Sequence, residues 1–78
     1  MFELKWLRIK EILVNLSTTK EITVSDNCIL FHHLSDPTPT IILFKNKEEA
    51  KNAFEFLSIL MKGTKGKPLI EFPDRNLN

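Results

Sequence analysis

Cys28, His32, His33 and Asp36 fall within nine residues of one another in "CILFHHLSD". A thiol, two imidazoles and a carboxylate are the groups from which zinc centres and nucleophilic sites are made. The spacing argues against both. If the stretch is extended, consecutive side chains leave on opposite faces, so His32 and His33 cannot hold one ion from that strand. Cys28 and His32 do share a face, but four residues of strand rise set them about 13 Å apart, against zinc–ligand distances of about 2.0–2.3 Å. The chain has no further cysteine or histidine to complete a ligand set. Cys28 also lacks a neighbouring base or helix N-terminus that would favour its thiolate. The reading is of strand-end histidines and a turn-edge cysteine, with no metal and no cofactor implied.

Other groups fare similarly. Glu48 and Glu49 are adjacent carboxylates at the start of a helical pattern, where one caps and the other faces water. "KGTKGK" has neither the strand before it nor the helix after it that would aim backbone amides at a phosphate. Lys45, Lys47, Lys51, Lys62, Lys65 and Lys67 lie along the helix arc and the segment after it. With His32 or His33 they are candidate phosphate contacts for a nucleotide or nucleic acid. Glu48 and Glu55 interrupt this stripe, and Lys51 with Glu55 reads as a surface i,i+4 pair. With no catalytic constellation, the expectation is a protein that is not an enzyme.

The elements that position these residues are legible in part. In "NKEEAKNAFEFLSILMKG", Asn46 with Glu49 three residues on resembles a capping box, and Gly63 suits a left-handed C-terminal cap. Ala50, Ala53, Phe54, Leu57, Leu60 and Met61 share one face, which predicts a helix over about 47–62. Upstream, Asp26 and Asn27 suit a two-residue hairpin turn. Pairing Ser25 with Cys28 then sets Val24 opposite Ile29 and Ile22 opposite Phe31, while Cys28, Leu30 and His32 take the other face. A third strand is expected over 40–44. The first residues fit two patterns: Phe2, Trp6, Ile9, Leu13 and Leu16 share a helix face, while the β-branched residues and the lack of an N-cap favour extended structure with a bulge, ending in a strand over 12–16. "LIEF", between Pro68 and Pro73, can form only a short edge strand. The predicted fold is α+β: a small antiparallel β-meander of three to five strands with one amphipathic helix packed on one face. Residues 1–62 are read as a single domain, and 63–78 as linker, edge strand and frayed tail.

Size and composition set the limits. At 78 residues, stability of about 4–12 kcal/mol is the expected range, which leaves little to support a strained site. With 42% apolar and 27% charged residues the chain is ordinary globular material, and a net charge of +1 provides no global field to recruit nucleic acid or an anionic membrane. The single cysteine excludes an intramolecular disulfide and fits a reducing, cytoplasmic home. No apolar run approaches the ~18–20 residues of a membrane span, and the N-terminus lacks a signal peptide's continuous apolar middle.

One imbalance remains. A single helix covers one sheet face, yet Leu30 points to the other, and Phe56 and Ile59 lie outside the helix stripe, with Trp6 a further apolar surplus. Each such side chain is worth about 1.5–3 kcal/mol when buried, so an exposed group of them marks an interface. Phe56, Ile59, Trp6 and Leu30 are therefore the candidate contact residues, and a homo-oligomer, a dimer first, is expected. "NCILFHHL" followed by "TIILFKNKEEAKNAFEFLSIL" resembles small bacterial and phage-encoded proteins built as a β-meander followed by one helix. That resemblance implies the fold, and a role in stoichiometric binding of a protein partner or small ligand, as inhibitors and sponges perform. The alternative is a nucleotide- or nucleic-acid-binding regulator acting through the lysines.

Overall fold

In a computed structural model the structure describes residues 5–73. Six strands and one helix follow in the order β1 (Trp6–Ile9), β2 (Ile12–Asn15), β3 (Thr19–Ser25), β4 (Cys28–His33), β5 (Thr40–Leu43), α1 (Lys47–Gly63) and β6 (Leu69–Glu71). The α+β class is as read from the sequence. The strands divide into two three-stranded sheets, β2-β1-β6 and β3-β4-β5. The second is the antiparallel meander, with Ser25 opposite Cys28, Val24 opposite Ile29 and Ile22 opposite Phe31. The turn between β3 and β4 needs positive φ only at Asp26, where it is 53°, a region Asp tolerates.

The N-terminal third differs from its expectation. The phase slip read as a bulge is a second tight hairpin: Ile9 faces Ile12, and Lys10 takes φ 56° in the two-residue turn. Nothing in "KE" advertises such a turn, because glycine, asparagine and aspartate are the residues that usually bear positive φ. Once the chain reverses there, Leu7, Ile9 and Val14 all point inward and are buried. After β2 a 3-10 turn at Leu16–Thr18, with Asn15 accepting from the Ser17 amide at 2.9 Å, leads into β3.

The helix begins as its sequence implies. Asn46 Oδ1 accepts from the Glu49 amide at 2.8 Å, and Glu49 reaches back to the Lys45 amide at 2.7 Å, one residue before the cap. Its end is different. Gly63 is the last helical residue, and Thr64 caps with φ −115° while its hydroxyl donates to the Leu60 carbonyl at 2.9 Å. The left-handed glycine is Gly66, φ 88°, which reverses the chain toward β6.

β6 runs parallel to β1, with Trp6 beside Leu69 and Leu7 beside Ile70. It is an edge strand, as its flanking prolines require, and it carries Ile70 and Phe72 into the core. That core is one cluster. It takes Leu7, Ile9, Val14, Ile70 and Phe72 from the first sheet side, Ile29, Phe31, Ile42 and Phe44 from the second, and Ala50, Ala53 and Leu57 from α1. The two sheets also meet at a polar point, where Lys10 Nζ donates to the Leu43 carbonyl and lies 4.5 Å from the centre of the Phe44 ring.

Candidate functional site

The histidines leave β4 on opposite faces, and each is held by a threonine on the neighbouring strand. His32 Nε2 is hydrogen-bonded to Thr23 Oγ1 at 3.1 Å across β3, and His33 Nε2 to Thr40 Oγ1 at 2.7 Å across β5. Cys28 Sγ donates to the Ser25 carbonyl at 3.2 Å, tying down the hairpin turn. Asp36 accepts from the Thr38 amide at 3.0 Å, an Asx turn that folds the loop between β4 and β5. Cys28, His32, His33 and Asp36 thus each have a local structural partner. Among the described residues no three His, Cys, Asp or Glu side chains come together in a way that would hold a metal ion.

The candidate phosphate contacts are dispersed. Lys45, Lys47, Lys51, Lys62, Lys65 and Lys67 are all exposed, the first three toward the start of α1 and the last three around its end. Both histidines are hydrogen-bonded to threonines rather than to any of these lysines.

The four candidate contact residues lie on three different surfaces. Ile59, 67% exposed, stands on the open flank of α1. Phe56, one turn before it, is half covered by an edge-to-face contact with Phe72, ring centres 5.4 Å apart. Leu30 is half-buried on the outer face of the β3-β4-β5 sheet, between Thr23 and the exposed Ile41. Trp6 is on the outer face of the other sheet.

Around Trp6 the structure gathers several apolar side chains on the outer sheet face. Alternation along β1 sends Leu7 and Ile9 inward, so Trp6 and Arg8 point out. Antiparallel pairing brings Leu13 opposite Arg8, and parallel pairing brings Leu69 beside Trp6. With Pro68, whose carbonyl accepts from the Trp6 amide at 2.9 Å, these five residues line a shallow groove of about 480 Å³. Its walls are apolar, with Arg8 as the single charge. Sequence reasoning found Trp6 but not Arg8, Leu13, Pro68 or Leu69. Their proximity follows from the Lys10 turn and from pairing between strands more than sixty residues apart, neither of which carries a local signal.

A second groove, of about 350 Å³, runs between α1 and β3. Leu16, Ile22, Phe54, Leu57 and Met61 form its apolar floor, and Lys20, Glu21 and Ser58 belong to its rim. No described helix is long and apolar enough to cross a membrane.

No family model, curated protein or solved structure matches this chain. The likeness to β-meander proteins of bacteria and phages therefore rests on pattern alone, and what stands is a small α+β protein.

Proposed function

We propose that this chain is a non-enzymatic binding protein that assembles as an oligomer and acts by occupying a protein partner stoichiometrically. One observation carries the reading: the Trp6–Leu13–Pro68–Leu69 groove, an apolar surface with one arginine at its side. Tryptophan and arginine are the residues most enriched where binding energy concentrates, and a rigid aromatic anchor loses little entropy on docking. Trp6 is 37% exposed, Leu69 41% and Leu13 59%, and these three neighbours on one sheet face are in water unless something covers them. The fitting occupant is an apolar segment of a protein with an acidic group for Arg8. A phage-type inhibitor would work in this way.

The test uses Trp6, the one tryptophan, as its own reporter. Native mass spectrometry of the chain purified from its own host reports any retained partner and its stoichiometry. Titration of that partner should shift Trp6 emission to the blue, and Leu13→Asp or Leu69→Asp should weaken binding tenfold or more, as expected when an anchor of ≥2 kcal/mol is lost. Binding untouched by both substitutions, or a chain that retains nothing and shows no change in emission, would remove the reading.

A second reading draws on the same place. Trp6 and Arg8 stand beside the segment that carries Lys65 and Lys67, an aromatic with basic neighbours, which is how single-stranded nucleic acid is gripped. Affinity for an oligonucleotide that falls steeply with salt would favour it, whereas an apolar contact would be little changed.

A further inference from the structure

Two three-stranded sheets have four edges, and three of them are closed or short. β6 is three residues long, between Pro68 and Pro73. β2 has four residues and ends in the 3-10 turn. β5 also has four; Pro39 precedes it and Lys10 occupies the Leu43 carbonyl. Proline and lysine at an edge are common means of blocking a further strand. Among the described residues β3 is the exception, with seven residues, no proline and a strand partner on one side only; a bulge between Thr19 and Glu21 interrupts its start, and from Glu21 to Ser25 its pairing is regular.

The groups that β3 presents can be worked out. The Phe44 amide donates to the Asn27 carbonyl, so Asn27, Ile29 and Phe31 direct their backbone groups toward β5. Cys28, Leu30 and His32 then face β3, where they meet Ser25, Thr23 and Glu21. What remains is Ile22 and Val24, whose amides and carbonyls point away from the sheet. Their side chains are on the inner face, half-buried beside α1.

We infer that this edge is self-complementary and pairs antiparallel with β3 of a second copy, about a two-fold axis through Thr23. In that register Ile22 lies opposite Val24 of the other chain, and the two residues exchange both backbone hydrogen bonds, four in all by symmetry. Beyond this regular stretch, Lys20 at the bulge comes near Asp26 in the turn of the second copy, and Asp26 near the second copy's Lys20, opposite in sign. On the outer face Thr23 meets Thr23, and Glu21 meets Ser25. A shift of one pairing step in either direction loses this match, because it sets Lys20 against Val24 or Ile22 against Asp26. The α1–β3 groove lies over the same edge, and its floor at Ile22, Phe54, Leu57 and Met61 receives the second copy's Val24. The result is a continuous six-stranded sheet in which both β3 edges are used up. Lys20, which together with its bulge guards the start of the edge in the single chain, becomes half of an ion pair.

This proposal rests on the oligomeric part of the function proposed above and names its interface. The test is a charge swap read by analytical ultracentrifugation, with circular dichroism to verify folding. Lys20→Asp gives an edge with two acids, and Asp26→Lys one with two bases. Each alone should weaken self-association about tenfold or more, since two attractive cross-strand pairs become repulsive. Mixed together, the two variants should form a heterodimer, and the double variant Lys20→Asp/Asp26→Lys should return to wild-type association. Val24→Pro, which removes an outward amide and no internal ladder bond, should leave a folded monomer. A wild-type dimer indifferent to all of these overturns the β3 interface while leaving an oligomeric binding protein in place. A wild type that is monomeric at every concentration overturns both the interface and the oligomeric reading.

Discussion

β3 and β5 flank the same central strand, β4, and are opposite in how they treat their free backbone. β5 is short, apolar on its outward face, with Ile41 48% and Leu43 63% exposed, and it is guarded at both ends by Pro39 and Lys10. β3 is longer, carries Thr23, Ser25 and Glu21 outward, and past the Lys20 bulge leaves Ile22 and Val24 open on its edge. The sticky strand is protected and the polar one is open. On β3 the guards, Lys20 and its bulge, stop short of Ile22 and Val24. The asymmetry fits an edge reserved for one partner, on which polar outer residues discourage sheet stacking while the backbone does the pairing.

The comparison can be broken outright at β4. Phe31 is fully buried between the two edges, so Phe31→Ala should cost about 3–5 kcal/mol and remove both edges together. Urea denaturation should show a midpoint shift of that size, and a loss under about 1 kcal/mol would mean that β4 does not anchor the sheet. Two prolines sharpen the contrast within β3. Thr23→Pro removes an amide that faces Leu30 and should cost about 3 kcal/mol or more, while Val24→Pro should cost clearly less, because its amide faces outward. Equal losses would show the assigned faces of β3 to be wrong.

The guard on β5 is open to a smaller test. Lys10→Ala removes the bond to the Leu43 carbonyl and the cation over Phe44, worth together about 1–2 kcal/mol. Combined with Pro39→Ala it should open the second edge, and light scattering should then show species larger than the dimer at raised concentration. If the double variant stays the size of the wild type, Lys10 and Pro39 are not guards.

What the sequence disclosed follows the range of the signals. The β3–β4 register was legible because Asp26 and Asn27 announce a turn and the apolar residues alternate in phase on either side. The helix was legible because its cap and its stripe repeat over seventeen residues. The β1–β2 hairpin was not, since Lys10 holds positive φ without any residue type that favours it. The Trp6 groove needed that hairpin and the parallel β6 together, so only its tryptophan stood out. The histidines were read correctly as lying on opposite faces, but the threonines that hold them come from other strands, and no spacing within "FHHL" reveals them.

The smallest effect expected concerns the element that overlooks the open edge. α1 is fixed at its start by Asn46, which accepts from the Glu49 amide, and by the return of Glu49 to Lys45. Asn46→Ala should cost about 1 kcal/mol, within the 0.5–2 kcal/mol typical of a lost cap. The cap lies at the first turn, whereas the groove residues Phe54, Leu57, Ser58 and Met61 begin two turns later. Fraying confined to the first turn should therefore lower thermal stability and leave dimer affinity within about twofold, because the groove residues lie beyond it. The Ser58 side chain, bonded to the Phe54 carbonyl at 3.1 Å, sits where the helix meets the β3 edge. Ser58→Asp adds a charge to the lining of that groove and should weaken the dimer more than it weakens the fold. If Asn46→Ala proves the more damaging of the two to association, the groove does not take part in pairing, and the second copy must be held by backbone and charge alone.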